Sequence, residues 1–139
     1  MSYDPVGNAK ATEAFTSAVI VVGNGAVVPI TCDGESFDTD SLHSIATNTE
    51  RFVAPETGYY LFLGSLSWSV DADGRRQLLV KVNGEVGFSF AQTQSNAAVL
   101  VFDLSIQTIS GIAFLNAGEY VEFYGTHNAG NNLNAGLTN

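Results

Sequence analysis

The chain has 139 residues, enough for one domain with a real core, and 45% of them are hydrophobic. Charged residues reach only 14%, against the roughly 25% usual in globular domains, and five basic residues against fourteen acidic ones leave a net charge of −9. That balance excludes nucleic-acid binding and attraction to an anionic membrane, both of which need clustered Lys and Arg. The only basic pair is Arg75-Arg76.

The N-terminus, Met1 to Pro5, has neither a basic n-region nor an apolar h-region, and no apolar run approaches the ~18 residues of a membrane span. The expectation is a soluble protein made in a cytoplasm and not a conventionally secreted precursor. Residues 1–13 carry no strand pattern and read as an N-terminal arm, mixing the anchors Tyr3, Pro5 and Val6 with polar residues. From residue 14 to 139 the pattern is all-β: short apolar runs separated by Gly, Asn, Asp and Pro, with no convincing helical period.

The spacing predicts ten strands, near 14–22, 26–32, 51–54, 58–70, 75–82, 85–91, 97–105, 107–115, 119–126 and 132–137. Gly23-Asn24-Gly25, Asp73-Gly74, Asn83-Gly84 and Asn116-Ala117-Gly118 supply turns. Gly tolerates positive φ, and a preceding Asn or Asp suits a tight hairpin. Residues 33–50 are polar, acidic and poor in strand signals, and read as a surface excursion.

The run 58–70 carries the most information. Tyr60, Phe62, Gly64, Leu66, Trp68 and Val70 share one face, apolar apart from Gly64, which marks the core side. The opposite face begins apolar, with Tyr59, Leu61 and Leu63, and turns polar at Ser65, Ser67 and Ser69. Residues 119–124 repeat the feature: Val121 and Phe123 point one way, Tyr120, Glu122 and Tyr124 the other. An outer strand face should be polar along its length, so these side chains predict a second buried surface, most simply an oligomer interface.

No catalytic constellation, cofactor motif or metal set emerges. Asp33, Glu35, Asp38 and Asp40 are crowded, and Asp71 and Asp73 sit two apart, but neither stretch has the spacing of a calcium loop. A solvated acidic loop and a hairpin turn explain them. Cys32 is the only cysteine, so an internal disulfide is impossible; it reads as a small buried apolar group. His43 and His127 have no nucleophile elbow or ordered triad beside them and read as plain surface residues. No glycine cluster is followed by the Lys-Ser or Lys-Thr of a phosphate loop.

The stretch from Arg51 to Phe62, Arg-Phe-Val-Ala-Pro-Glu-Thr-Gly-Tyr-Tyr-Leu-Phe, resembles the central signature of the complement component 1q globular-head family, which shares its fold with tumour necrosis factor. Arg76 to Gly84 is similar to that family's next strand and hairpin. Leu115 to Glu122 is similar to its late Leu-x-x-Gly-Asp-x-Val segment, with Glu119 where Asp is usual. Ala14-Phe15-Thr16 matches the opening strand, and Asn134 to Leu137 a cut-short closing one. The resemblance spans about residues 14–138 and implies a ten-strand, two-sheet jelly roll that forms trimers. A jelly roll is also what the strand count and turn spacing allow. In such a trimer Tyr59, Leu61, Leu63, Tyr120 and Tyr124 are expected near the threefold contact. Calcium near the trimer apex is known in some members, but no ligand pattern carries over residue by residue.

The chain shows no Gly-X-Y stalk, signal peptide or anchor, unlike the better-known members, and a head without an export signal needs another way out of the cell. The expectation is therefore a phage virion protein: a non-enzymatic, homotrimeric decoration (cement) protein made in the host cytoplasm and carried on the particle surface. Its partners would be copies of itself and the major capsid protein, with Tyr3, Pro5 and Val6 making the capsid contact. The alternative is a receptor- or glycan-binding tip of a tail or head fibre; an enzyme such as a glycan hydrolase ranks last.

Overall fold

The computed structural model describes residues 9–85, 91–96 and 105–136. Among them are eleven strands and no helix: β1 (Thr12–Phe15), β2 (Ile20–Val22), β3 (Val27–Pro29), β4 (Gly34–Asp38), β5 (Arg51–Val53), β6 (Gly58–Trp68), β7 (Arg75–Val82), β8 (Ala91–Asn96), β9 (Ser105–Leu115), β10 (Tyr120–His127) and β11 (Leu133–Ala135). One sheet runs β2-β11-β6-β9 and the other β3-β10-β7-β8, with β5 also on β10; β1 and β4 form a separate ribbon. Every pairing is antiparallel. The architecture is a jelly-roll sandwich.

The inner faces meet as period-two patterning requires. Phe62, Leu66 and Trp68 of β6 and Ile109, Ala113 and Leu115 of β9 pack against Leu78 and Val80 of β7 and Val121 of β10. Gly64 makes room for Phe123 of the facing sheet: a Cβ there would lie 2.4 Å from the Phe123 ring, so no larger residue fits without displacing that phenylalanine. Trp68 is fully buried and its indole N–H donates to Gln107 Oε1 at 2.8 Å. Val70, expected in the core, lies beyond the end of β6 and is 39% exposed.

Several elements differ from the sequence expectation. The run 14–22 is broken into β1 and β2, with the Ser17 amide and hydroxyl both bonded to the Asp33 carboxylate in the break. The presumed excursion 33–50 contains β4, a strand of Gly-Glu-Ser-Phe-Asp that has no apolar alternation to announce it and pairs with the short β1. Asn83 and Gly84 take the positive φ values expected, 53° and 64°. A two-residue hairpin would then set residue 87 opposite Val80, but Val80 pairs with Ala91. The strand beside β7 is the polar run Ala-Gln-Thr-Gln-Ser-Asn, which falls between the two strands expected at 85–91 and 97–105. Residues 86–90 and 97–104 of those two expectations lie outside the described residues. Part of the presumed arm belongs to the sandwich: β1 begins at Thr12, and Lys10 is paired with Glu56.

Candidate functional site

β6 and β9 pair over eleven residues, and alternation turns their odd and even positions to opposite sides of the sheet. On the outer side Tyr59 stands across from Phe114, Leu61 from Ile112, Leu63 from Ser110 and Ser65 from Thr108. The apolar members are strongly exposed: Tyr59 79%, Leu61 68%, Leu63 72%, Ile112 62% and Phe114 54%. Tyr59 and Phe114 pack edge to face at 5.2 Å between centroids. The face is thus apolar at the Gly58–Leu115 end and mostly hydroxylated beyond Leu63, apart from the exposed Ile106 opposite Ser67. β9's contribution is legible in the alternation of Ile106, Ile112 and Phe114 against the buried Gln107, Ile109, Ala113 and Leu115, a signal the sequence reading left unused.

Tyr120 and Tyr124 are not on this face. They belong to β10, in the other sheet, and point outward on the far side of the sandwich. There the Arg51 guanidinium sits 4.4 Å from the Tyr120 ring centroid and the Lys81 ammonium 4.4 Å from that of Tyr124. Between the tyrosines Glu122, only 3% exposed, accepts from Arg51 Nε at 3.2 Å and from the Tyr124 hydroxyl at 2.9 Å. Burial, reinforced by the bond to Glu122, pushes the Tyr124 phenol up to about 12. Tyr3, Pro5 and Val6 lie outside the described residues.

Most of the titratable groups weighed in the sequence are tied up inside the chain. Hydrogen bonds from Ser17 hold the Asp33 carboxyl below its ordinary range. Asp38 accepts from the amides of Leu42 and His43. Asp71 accepts from Asn131 and from the Asp73 amide, and these bonds lower its pKa. Among the described residues no three His, Cys, Asp or Glu side chains come together as a metal site.

Both histidines, expected on the surface, are buried. His43 stacks on Phe52 at 5.0 Å with Nδ1 at 2.7 Å from Glu35 Oε1 and Nε2 at 2.9 Å from the Thr49 carbonyl. Both neighbours are acceptors, so a proton between Nδ1 and Glu35 is needed for the two contacts to be hydrogen bonds. His127 lies edge-on to Trp68; Nδ1 accepts from the Ala129 amide, which leaves Nε2–H to donate to the Val22 carbonyl. His127 ties segments 105 residues apart, while His43 closes the 35–52 stretch on itself through partners six and eight residues away; local composition reveals neither.

No family model matches the chain, and no curated protein matches it in sequence. In three dimensions it is similar to the globular domain of zebrafish complement 1qA protein, with a TM-score of 0.53 at 17% identity, covering 87% of this chain and 97% of that one. It is also matched to the Eiger TNF of S. frugiperda, with a TM-score of 0.49 at 13% identity, covering 92% of this chain and 90% of that one. At 17% identity the complement likeness establishes a shared jelly-roll fold.

Proposed function

We propose that this protein is a non-enzymatic structural subunit that forms a homotrimer and decorates a phage capsid. The observation that carries the assembly is the exposed apolar face of Tyr59, Leu61, Leu63, Ile112 and Phe114, contiguous across β6 and β9. Removing a large aliphatic or aromatic side chain from water is worth ~1.5–3 kcal/mol, so a face of this kind is a strong drive to associate. Three copies are the number implied by the resemblance to complement 1q heads. In a closed ring each contact joins different surfaces of neighbouring subunits, and the β6–β9 face is one of those two surfaces. Tyr120 and Tyr124, on the far side of the sandwich, are then left toward the periphery.

The capsid role is supported by the surface chemistry: 14% charged residues, net acidity, and a surface that is polar through hydroxyls and amides, suited to packing against neighbours. Sedimentation equilibrium of the purified protein should give about three times the 14.7 kDa chain mass, and a monomer at micromolar concentration overturns the assembly. Trimers added to particles lacking the protein should decorate their shells at regular lattice positions, visible by electron microscopy. Binding to host cells without binding to shells replaces the capsid role with that of a receptor-recognising tip.

A further inference from the structure

Residues 39–50, between β4 and β5, form no strand, yet within them the His43 side chain is wholly out of solvent. It is gripped from three sides: Glu35 of β4 at Nδ1, the Thr49 carbonyl at Nε2 and the Phe52 ring of β5 against its face. The grip organises the whole segment. The Thr49 carbonyl also accepts from the Cys32 amide, Asp38 accepts from the amides of Leu42 and His43, and the Leu42 carbonyl accepts from the Val53 amide. Phe52 in turn meets Phe123 edge to face at 5.8 Å, which joins the imidazole's stacking partner to the core.

Among the described residues, the charged groups in contact with His43 are both acidic: Glu35 at the ring and Asp38 at the amide. The Thr49 carbonyl and Phe52 bring no charge. A neutral imidazole has one N–H and one bare nitrogen. Between an ionised Glu35 and a carbonyl it can satisfy only one of the two. The other contact, at 2.7 or 2.9 Å, would set lone pair against lone pair away from water. One more proton, on the imidazole or on Glu35, turns both contacts into hydrogen bonds. Carried by the imidazole, it also makes the Glu35 bond charge-assisted. The Glu35 side chain is 24% exposed, so this proton can reach and leave water without the fold opening.

We infer that His43 and Glu35 form a proton-operated clasp on residues 39–50, closed while the pair holds a proton and loosened when it loses one. The direction follows from the reference state. In an unfolded chain an imidazole gives up its proton near pH ~6.5 and a glutamate near ~4.3. Above the first of these values, folding the segment with the clasp closed takes up a proton that the unfolded segment does not hold. Its stability therefore falls as pH rises. The Cys32 thiol, next to the Thr49 contact, is pushed up to about 11 and stays protonated through neutral and mildly alkaline pH. The clasp lies away from the outer face of β6 and β9, and it stands whether or not that face assembles.

Residue-resolved hydrogen exchange tests it, with each rate divided by that of the unfolded chain at the same pH. Protection of the Cys32, Leu42, His43 and Val53 amides should fall by at least about tenfold between about pH 6 and about pH 9. Amides of the long β6–β9 pairing should keep theirs over the same range. Glu35→Gln identifies the cause. Its side-chain amide can donate to Nδ1 of a neutral imidazole, whose Nε2–H then serves Thr49, so the fall should vanish. His43→Phe keeps a ring against Phe52, removes the titrating group and should also be flat, which decides the matter if Glu35→Gln fails to fold. Protection that does not change with pH in the natural chain overturns the inference. So does a fall that persists in Glu35→Gln or His43→Phe, or one shared equally by β6 and β9.

Discussion

Strands β6 and β10 both carry aromatic side chains on the face turned away from the core, and the two faces end up in opposite conditions. On β10, Arg51 from β5 covers Tyr120, Lys81 from β7 covers Tyr124, and Glu122 binds both the arginine and the Tyr124 hydroxyl. On β6, the cross-strand neighbours of Tyr59 and Leu61 are Phe114 and Ile112, which are apolar themselves and enlarge the exposed patch. An outward aromatic is thus no sign of an interface by itself. What decides is whether the adjacent strands bring a cation with a long apolar stem or another hydrophobe.

The largest expected effect belongs to neither outer face and sets the scale for both. Trp68→Ala should cost ~3–5 kcal/mol in denaturant unfolding, since it empties a fully buried site and strands the Gln107 oxygen. Leu61→Asp should leave monomer stability within about 0.5 kcal/mol, as exposed substitutions do. It should nevertheless raise the concentration needed for assembly by at least about tenfold, equivalent to ~1.4 kcal/mol, when followed by light scattering. If these two variants behave alike in melting and sizing, the assignment of inner and outer faces is wrong.

Tyr124→Phe sharpens the comparison from the other side: assembly should be unchanged, and the effect should appear only in alkali. The phenol ionises at about 12 in the folded chain against an ordinary 10.0, so the folded state holds this proton more tightly than the unfolded state does. Its contribution is whole below pH 10.0 and is lost as pH rises toward about 12. Denaturation midpoints of the natural chain should therefore fall across that window more steeply than those of Tyr124→Phe. A matching absorbance titration should show one late phenol that the variant lacks. An assembly defect in Tyr124→Phe would make the β10 face an interface after all.

The smallest effect concerns Cys32, whose thiol burial, with the Asp33 charge beside it, pushes up to about 11. Alkylation near neutral pH should be at least about tenfold slower than in the unfolded chain, because the thiolate is scarce and covered. Leu61→Asp should leave that rate unchanged, since exposing the β6 face does not open the core.

The all-β class, most turns and the two sides of β6 were legible in the sequence, because alternation is a local property and Asn-Gly or Gly-rich junctions need a local φ. The division of Tyr59, Leu61 and Leu63 from Phe62, Leu66 and Trp68 needs no knowledge of any other strand. Tertiary structure decided what lies across from each side. β4 and β8 are strands by virtue of β1 and β7, since their own Gly-Glu-Ser-Phe-Asp and Gln-Thr-Gln-Ser runs have almost no apolar face to announce. Arg76, half of the only basic pair, is fully buried with its guanidinium donating to the carbonyls of Asp71, Asp73 and Gly74. His43 and His127 are buried because Glu35, Thr49 and Val22 supply partners from elsewhere in the chain. Sequence period tells which way a side chain points, but desolvation and hydrogen bonding depend on the atoms it meets there, and most of those arrive from distant parts of the chain.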